Sequence, residues 1–139
     1  MIQIIAGEKG KGKTKILLDK ANAEVLTTKG SLAFIDKNNR HMYELNNKIR
    51  LISAKDYFVN DAKEFTGFIA GIVSQDNDLS KVYLDGFLSI APMENDDIAL
   101  MVDKLSMLSN AFEVDFVISI SKNENDLPDN AKSCVIVAL

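Results

Sequence analysis

The sequence predicts a three-layer α/β/α sandwich around a mainly parallel sheet of about five strands. Short apolar runs alternate along the chain with segments whose apolar residues recur at helical spacing, which is the order of elements in an α/β fold. Most of these runs do not alternate polar and apolar residues, as is typical of parallel strands that helices cover on both faces. The chain has 139 residues, of which 47% are hydrophobic, and this suits one domain spanning residues 1–139.

The first part of the chain predicts a strand, a helix and a second strand. Ile2–Ala6 is an apolar run that ends at a glycine, which is typical of a buried strand. Thr14–Thr28 has helical composition and an apolar face, and Gly30 stands where a left-handed cap is expected after a helix. Leu32–Ile35 is the second predicted strand, and it ends at Asp36.

The middle of the chain is less regular. The polar segment Lys37–Asn47 predicts at most one helical turn, around residues 42–45, and Ile49–Ile52 predicts a short strand. A second helix is expected with Asn60 as its N-cap, because the apolar residues that follow form one stripe: Phe65, Phe68, Ile69, Ile72 and Val73. Lys81–Leu84 is the next predicted strand.

The last third of the chain predicts one helix and two strands. The helix begins near Asn95, where Asp96 and Asp97 favour the positive end of the helix dipole. Val114–Ile120 is a nearly continuous apolar strand, and Ser133–Ala138 is the last strand.

Composition and charge exclude several classes of protein. The 16 basic and 20 acidic residues give a net charge of −4, which argues against nucleic acid as a direct high-affinity ligand. The one cysteine, Cys134, excludes an intramolecular disulfide and a zinc cluster of several thiolates. No apolar run is long enough to span a membrane and no secretory signal pattern occurs, so a cytoplasmic protein is expected.

One motif predicts the chemistry of the protein. Residues 7–14 read GEKGKGKT and match G-x-x-x-x-G-K-[ST] between a predicted strand and a predicted helix. Glycines let such a loop curl until successive backbone N–H groups face one point, and the helix start adds unpaired N–H groups and a positive dipole end. The alternative is a lysine-rich surface turn, which does not need the flanking glycines. The residues expected to contact a nucleotide are Gly7, Glu8, Lys9, Gly10, Lys11, Gly12, Lys13, Thr14 and Lys15.

With this motif the chain resembles the P-loop NTPase superfamily. The second motif of that family is an apolar strand ending in aspartate, which the run Val82-Tyr83-Leu84-Asp85 matches, although a simple turn is the alternative. The resemblance implies ATP and Mg²⁺ as ligands, with Lys13 stabilising charge during catalysis and with Thr14 and Asp85 holding the metal. ATP is expected rather than GTP because the sequence has no Asn-Lys-x-Asp motif for reading guanine.

The order of elements resembles the RecA-like (ASCE) branch of this superfamily. In that branch an additional strand separates the strand before the phosphate loop from the strand of the second motif, and the resemblance implies that Val114–Ile120 is this inserted strand. Its polar end, Ser121 or Asn123, would then lie where such proteins sense the γ-phosphate, with an ordinary strand-end cap as the alternative. The chain also resembles small stand-alone P-loop proteins of bacteria.

One departure from the family pattern concerns the group that polarises the attacking water. Many RecA-like ATPases carry a glutamate directly after the aspartate or on a neighbouring strand end, whereas Gly86 follows Asp85 here. Asp36, at the end of the second predicted strand, is the expected substitute, and a turn residue is its alternative interpretation. Glu94 is a weaker candidate for the same role.

Four other residues are considered and given structural interpretations. His41, the only histidine, lies in a polar segment with no catalytic partner evident from the sequence. Arg40 and Arg50 could contact a γ-phosphate as arginine fingers do, but solvated side chains are the simpler interpretation. Cys134 is expected to be a small core residue.

These observations leave three functions open. The first is a slow ATPase or an ATP-dependent switch. The second is a small-molecule or nucleoside kinase, which needs an acceptor pocket and usually a lid that carries arginines. The third is a non-catalytic nucleotide-sensing module that acts through a protein partner. An exposed edge strand would also allow a homo-oligomer.

Overall fold

The computed structural model describes residues 1–90 and 93–139, and its centre is a six-stranded sheet in the order β3-β2-β4-β5-β1-β6. Every neighbouring pair of strands is parallel. In chain order the strands are β1 (Ile2–Ala6), β2 (Ser31–Asp36), β3 (Arg50–Ser53), β4 (Leu79–Leu84), β5 (Asp115–Ile120) and β6 (Val135–Ala138). The predicted fold class is confirmed, with one strand more than the approximate count.

Helices cover both faces of the sheet, as three layers require. They are α1 (Lys13–Glu24), α2 (Ala62–Gln75), α3 (Phe87–Ile90), α4 (Asn95–Phe112) and α5 (Asp129–Lys132), with 3₁₀ turns at Ala54–Tyr57 and Glu124–Asp126. None of the helices in the described part of the chain is both long and apolar enough to cross a membrane.

Two apolar clusters on opposite faces of the sheet hold these layers together. Successive residues of a strand point to opposite faces, so Ile4 lies in one cluster and Ile5 in the other, both fully buried. Helix α1 packs on one face through Leu17, and α2 and α4 pack on the other through Ile69 and Leu105. Burial on both faces explains why the strands read as continuous apolar runs.

The place of β5 within the sheet agrees with the inserted strand expected from the sequence. Ile118 of β5 pairs with Ile4 of β1 on one side and with Leu84 of β4 on the other. All strands are parallel, so the residues that follow β1, β2, β4 and β5 meet at one edge of the sheet. Open α/β sheets bind their ligands at this carboxyl edge.

Two predictions about the first helix are wrong. Helix α1 ends at Glu24 rather than Thr28, and the carbonyl of Glu24 instead accepts turn hydrogen bonds from the amides of Thr27 and Thr28. Gly30 is not left-handed. A Cβ at Gly30 would lie 2.4 Å from the carbonyl oxygen of Asp78, so close backbone approach requires glycine there.

Two further predictions about local structure are corrected. The N-cap of α2 is Asp61 rather than Asn60, because the Asp61 carboxylate accepts a hydrogen bond from the Glu64 amide at 2.8 Å. Asn60 is held instead by its own amide, which donates to the Glu64 carboxylate at 2.8 Å. Residues 40–44 form turns rather than helix. Beyond them, the Asn46 amide donates a hydrogen bond to the side chain of Asn22 in α1.

Leucine-to-alanine changes on two positions of α4 test this packing. Leu105 is fully buried against the sheet, whereas Leu100 on the same helix is 61% exposed. We expect Leu105→Ala to lower the free energy of unfolding by about 2–5 kcal/mol, because it leaves a cavity in the core. We expect Leu100→Ala to change it by about 0.5 kcal/mol or less. Urea denaturation of both variants measures the difference, and equal losses would contradict this packing.

Candidate functional site

The loop between β1 and α1 takes its shape from two glycines in the left-handed region. Gly10 has a φ of 88° and Gly12 a φ of 89°, and a Cβ at either would meet no other atom within 4 Å. Glycine is therefore required at both positions by backbone conformation. Gly7 differs, because a Cβ there would lie 2.9 Å from the Cβ of Leu139, so it is required by packing against the chain beyond β6.

The first turn of α1 is open to an anion. Gly12 is its N-cap, no side chain caps the helix, and no acidic residue lies in the first turn. Helix N-termini carry unpaired N–H groups and the positive end of the dipole, and side-chain caps usually satisfy them. Here the curled loop leaves these donors without such a partner, which is the arrangement that binds phosphate groups.

The side chain of Lys13 lies inside the loop. It is 7% exposed, and its ammonium donates a hydrogen bond to the carbonyl of Glu8 at 3.0 Å. Burial lowers the pKa of the Lys13 ammonium, and the nearby negative charge of Asp85 offsets part of that effect. The structure thus holds a single ammonium group within the curve of the loop, next to the start of α1.

Asp85 connects the loop helix to the centre of the sheet. It follows β4 directly and is 4% exposed. The Thr14 hydroxyl donates to its carboxylate, with the two oxygens at 3.0 and 3.2 Å. The Ser119 hydroxyl of β5 donates to the same carboxylate at 2.8 Å. The two residues predicted to hold a metal, Thr14 and Asp85, are therefore in direct contact.

Ser119 is a site residue that sequence reasoning missed. It is 1% exposed, and besides donating to Asp85 it accepts a hydrogen bond from the Gly86 amide at 3.0 Å. A signal for it was present, because Ser119 is the one hydroxyl residue within the buried run Phe116–Ile120. A buried hydroxyl in an apolar strand needs hydrogen-bond partners, and such partners lie at strand ends.

Asp36 ends β2 and is buried beside Asp85. It is 4% exposed, and its Oδ1 accepts a hydrogen bond from the Lys37 amide at 2.7 Å. Its Oδ2 is buried and has no hydrogen-bond partner among the described residues. Burial raises the pKa of the Asp36 carboxyl and the charge of Asp85 raises it further, while the Lys37 amide, His41 and Arg40 act in the opposite direction.

His41 also belongs to this edge, although the sequence did not indicate it. Its Nε2 lies 3.9 Å from Asp36 Oδ2, and its Nδ1 lies 2.9 Å from Glu44 Oε2. The side chain is only 14% exposed. One potential ligand atom from each of Asp36, His41 and Asp85 lies within 4.8 Å of the others. The polar segment in which the sequence places His41 is therefore folded against the carboxyl edge of the sheet.

The other predicted nucleotide contacts lie around the loop. Lys9 and Lys11 are exposed, and Lys15 is exposed and forms an ion pair with Asp19 at 3.3 Å. Ser121 directly follows β5 at the carboxyl edge and is half-buried.

Several side chains considered from the sequence have structural contacts. Glu94 forms a capping box with Asp97 at the start of α4, which accounts for its position. Asn123 caps a 3₁₀ turn by accepting from the Asn125 amide at 2.9 Å. Arg50 is exposed on the edge strand β3, and Cys134 is half-buried against the core.

An open cleft of about 440 Å³ adjoins the loop on the side of Thr14. Helix α1 forms one wall, and the turn that carries His41 and Glu44 forms the other. Asn22 of α1 holds the two walls together, because its side chain donates to the Glu44 carbonyl at 2.9 Å and accepts from the Asn46 amide at 2.8 Å. Of the predicted nucleotide contacts, Thr14 and Lys15 line this cleft.

Comparisons with known proteins identify the fold. No protein-family model and no curated protein sequence matches the chain. Among solved structures, it is similar to the flagellar accessory protein FlaH from Methanocaldococcus jannaschii, with a TM-score of 0.56 and 12% identity over 95% of this chain and 65% of that one. It is also similar to the pCW3 conjugation coupling protein TcpA in its monomer form with ATPγS, with a TM-score of 0.53 and 14% identity over 95% of this chain and 46% of that one. The chain therefore has the fold of P-loop NTPases, and it spans less than two thirds of either neighbour.

Glycine-to-alanine changes at two exposed positions test the loop conformation. We expect Gly12→Ala to destabilise the protein by about 1–2 kcal/mol, because its left-handed φ strains any residue with a Cβ. We expect Gly67→Ala to stabilise it by up to about 1 kcal/mol, because Gly67 lies in the open middle of α2. Denaturant titration of both variants measures the change in the free energy of unfolding. Stabilisation by Gly12→Ala would contradict the loop geometry.

Proposed function

We propose that residues 1–139 form one nucleotide-binding domain that binds ATP with Mg²⁺ and works as a slow ATPase or ATP-dependent switch. The observation that carries the proposal is the loop between β1 and α1. Two left-handed glycines curl it, the helix that follows has no side-chain cap, and one buried lysine lies within the curve. Together these three features suit the binding of a polyphosphate.

The phosphate groups would be held by backbone and side chain together. Amides of the loop and of the first turn of α1 would donate to the phosphate oxygens. Lys13 would exchange its hydrogen bond to the Glu8 carbonyl for one to a phosphate oxygen, which is a charge-assisted and stronger partner. The exposed Lys9, Lys11 and Lys15 would add positive potential around the loop.

Thr14 and Asp85 would hold Mg²⁺, and their chemistry fits this ion. A hydroxyl and a carboxylate are hard oxygen donors, which Mg²⁺ prefers. Both side chains already face the same point, since the Thr14 hydroxyl lies 3.0 Å from Asp85 Oδ2. Bound Mg²⁺ would neutralise charge on the terminal phosphates. Ser119 would keep the carboxylate of Asp85 in place through its 2.8 Å hydrogen bond.

Asp36 would orient the attacking water. Its strand β2 is the neighbour of β4, so the carboxylate stands on the strand end next to Asp85. Its Oδ2 is a buried acceptor without a hydrogen-bond partner in the described residues, and a water hydrogen would satisfy it. Glu94 is less suited to this role because its carboxylate already caps α4.

The base would lie in the cleft beside Thr14, which is the open space next to the loop. ATP is proposed over GTP because the sequence contains no guanine-reading motif. The similarity to TcpA, whose structure contains ATPγS, supports the same choice at the level of the fold.

A nucleotide-sensing module without turnover is the second candidate. The observation in its favour is Gly86, which stands where many related ATPases place a catalytic glutamate. Catalysis of phosphoryl transfer depends mostly on positioning and electrostatics, so loss of one such group reduces turnover more than binding. A protein partner or a second copy would then read the bound state. The cytoplasmic location and the lack of a nucleic-acid ligand stay predictions.

Two lysine variants test nucleotide binding. At a hundredfold excess over Kd, Mg-ATP would stabilise the native protein by about 2.7 kcal/mol and raise Tm by roughly 5–10 °C. We expect Lys13→Ala to lose this shift, because its ammonium is the group directed at the phosphates. Lys20→Ala, exposed on the same helix, should keep it. A full shift in Lys13→Ala would refute the assignment of the loop, and Mg-GTP in parallel tests the base.

Two carboxylate-to-amide variants test the role of Asp36. We expect Asp36→Asn to lower phosphate release by about a hundredfold or more while the Mg-ATP shift in Tm is retained, because the amide cannot orient water as a carboxylate does. Glu94→Gln should leave turnover unchanged. Unchanged turnover in Asp36→Asn would remove Asp36 from the mechanism.

The unmodified protein distinguishes the three functions. Binding of ATP without any turnover would favour the sensing module, and phosphoryl transfer only after addition of a nucleoside would identify a kinase.

A further inference from the structure

The nucleotide site leaves His41 without a role, and the surroundings of this side chain are unusual. The Nε2 of His41 and the Oδ2 of Asp36 are both buried, and neither has a hydrogen-bond partner among residues 1–90 and 93–139. They lie 3.9 Å apart, which is too long for a hydrogen bond between them. Two buried polar atoms left in this way cost free energy unless something else satisfies both.

The second nitrogen of His41 determines which tautomer is present. Its Nδ1 lies 2.9 Å from Glu44 Oε2, and a carboxylate oxygen accepts a hydrogen bond. Nδ1 therefore carries the hydrogen, and in the neutral imidazole Nε2 presents a lone pair. The lone pairs of Nε2 and Asp36 Oδ2 then face one space, so the group that satisfies both is a cation or a donor of two hydrogens such as water. Two buried carboxylates beside this space favour the cation.

We propose that Asp36, His41 and Asp85 bind a divalent transition-metal ion that accepts an imidazole ligand, such as Mn²⁺ or Zn²⁺. Their potential ligand atoms lie within 4.8 Å of one another, and both carboxylates are 4% exposed. One nitrogen and carboxylate oxygens suit these ions, whereas Mg²⁺ prefers oxygen ligands alone. The site goes beyond the nucleotide proposal, because it needs neither the loop nor a nucleotide.

The partners of the three ligands support this assignment. Metal-binding side chains are commonly held by outer hydrogen bonds that fix their orientation. Here Glu44 holds His41, the Lys37 amide holds Asp36, and Ser119 and Thr14 hold Asp85. Burial raises the pKa of Asp36 and the charge of Asp85 raises it further, and a dication between the two carboxylates would offset their repulsion.

Electron paramagnetic resonance with Mn²⁺ alone tests the site on the intact chain. We expect Mn²⁺ to bind without nucleotide and to show coupling to a ¹⁴N nucleus, because His41 supplies a directly bound nitrogen. Bound Mn²⁺ without ¹⁴N coupling would place the ion on carboxylates only and overturn the proposal. Failure of Mn²⁺ and Zn²⁺ to bind in calorimetry would overturn it as well.

Variants assign the ligands by Mn²⁺ calorimetry. We expect His41→Ala to weaken binding at least tenfold and to abolish the ¹⁴N coupling, and Glu44→Gln to weaken binding by about tenfold through loss of its hold on His41. Asp96→Asn, which removes an exposed carboxylate at the start of α4, should bind as the unmodified protein does. Equal Mn²⁺ affinity in His41→Ala and Asp96→Asn would overturn the proposal.

One more variant separates this proposal from the nucleotide proposal. Lys13→Ala should lose the Mg-ATP shift in Tm and keep Mn²⁺ binding with its ¹⁴N coupling, since Lys13 is not a ligand of this site. The two proposals share Asp36 and Asp85 but not Lys13, so loss of Mn²⁺ binding in a folded Lys13→Ala would overturn the proposal that the ion binds without the loop. Circular dichroism spectra confirm that each variant is folded.

Discussion

The carboxylate of Asp85 joins three parts of the protein that are distant in sequence. It accepts hydrogen bonds from Thr14 at the start of α1 and from Ser119 in β5, and it stands at the end of β4. These bonds fix where the phosphate loop lies relative to the sheet, because Thr14 directly follows Lys13 in the first turn of α1. Any ligand held by the loop would therefore lie next to a buried negative charge. A buried charge needs a compensating partner, and a cation at this site would supply it.

The position of Asp85 also accounts for the buried negative charge at this edge of the sheet. Strand β2 ends in Asp36 and Asp85 directly follows the neighbouring strand β4, so two carboxylates are buried side by side. Water cannot screen them well at this depth, and their repulsion is compensated only in part by the Lys37 amide, His41 and Arg40. A buried site of this kind suits a cation, a positioned water or a proton.

The fold by itself leaves the function open, since related P-loop folds serve many activities. The chain spans 65% of FlaH and 46% of TcpA. Two features of the carboxyl edge bear on the proposed function. Gly86 stands where the family resemblance leads us to expect a glutamate, and a turn bonded to α1 through Asn22 brings His41 to this edge.

The sequence by itself determined the glycine loop between β1 and α1 and the order of elements, because both depend on local rules. Glycines at 10 and 12 permit the left-handed conformation that the loop adopts, and continuous apolar runs are typical of strands covered on both faces. Only the tertiary structure decided the surroundings of Ser119 and His41. Their contacts join residues distant in the chain or depend on how a turn is bonded to a helix, as His41 does through Asn22. No periodicity records such contacts, so a histidine in an irregular polar segment became a candidate ligand only when the chain folded around it.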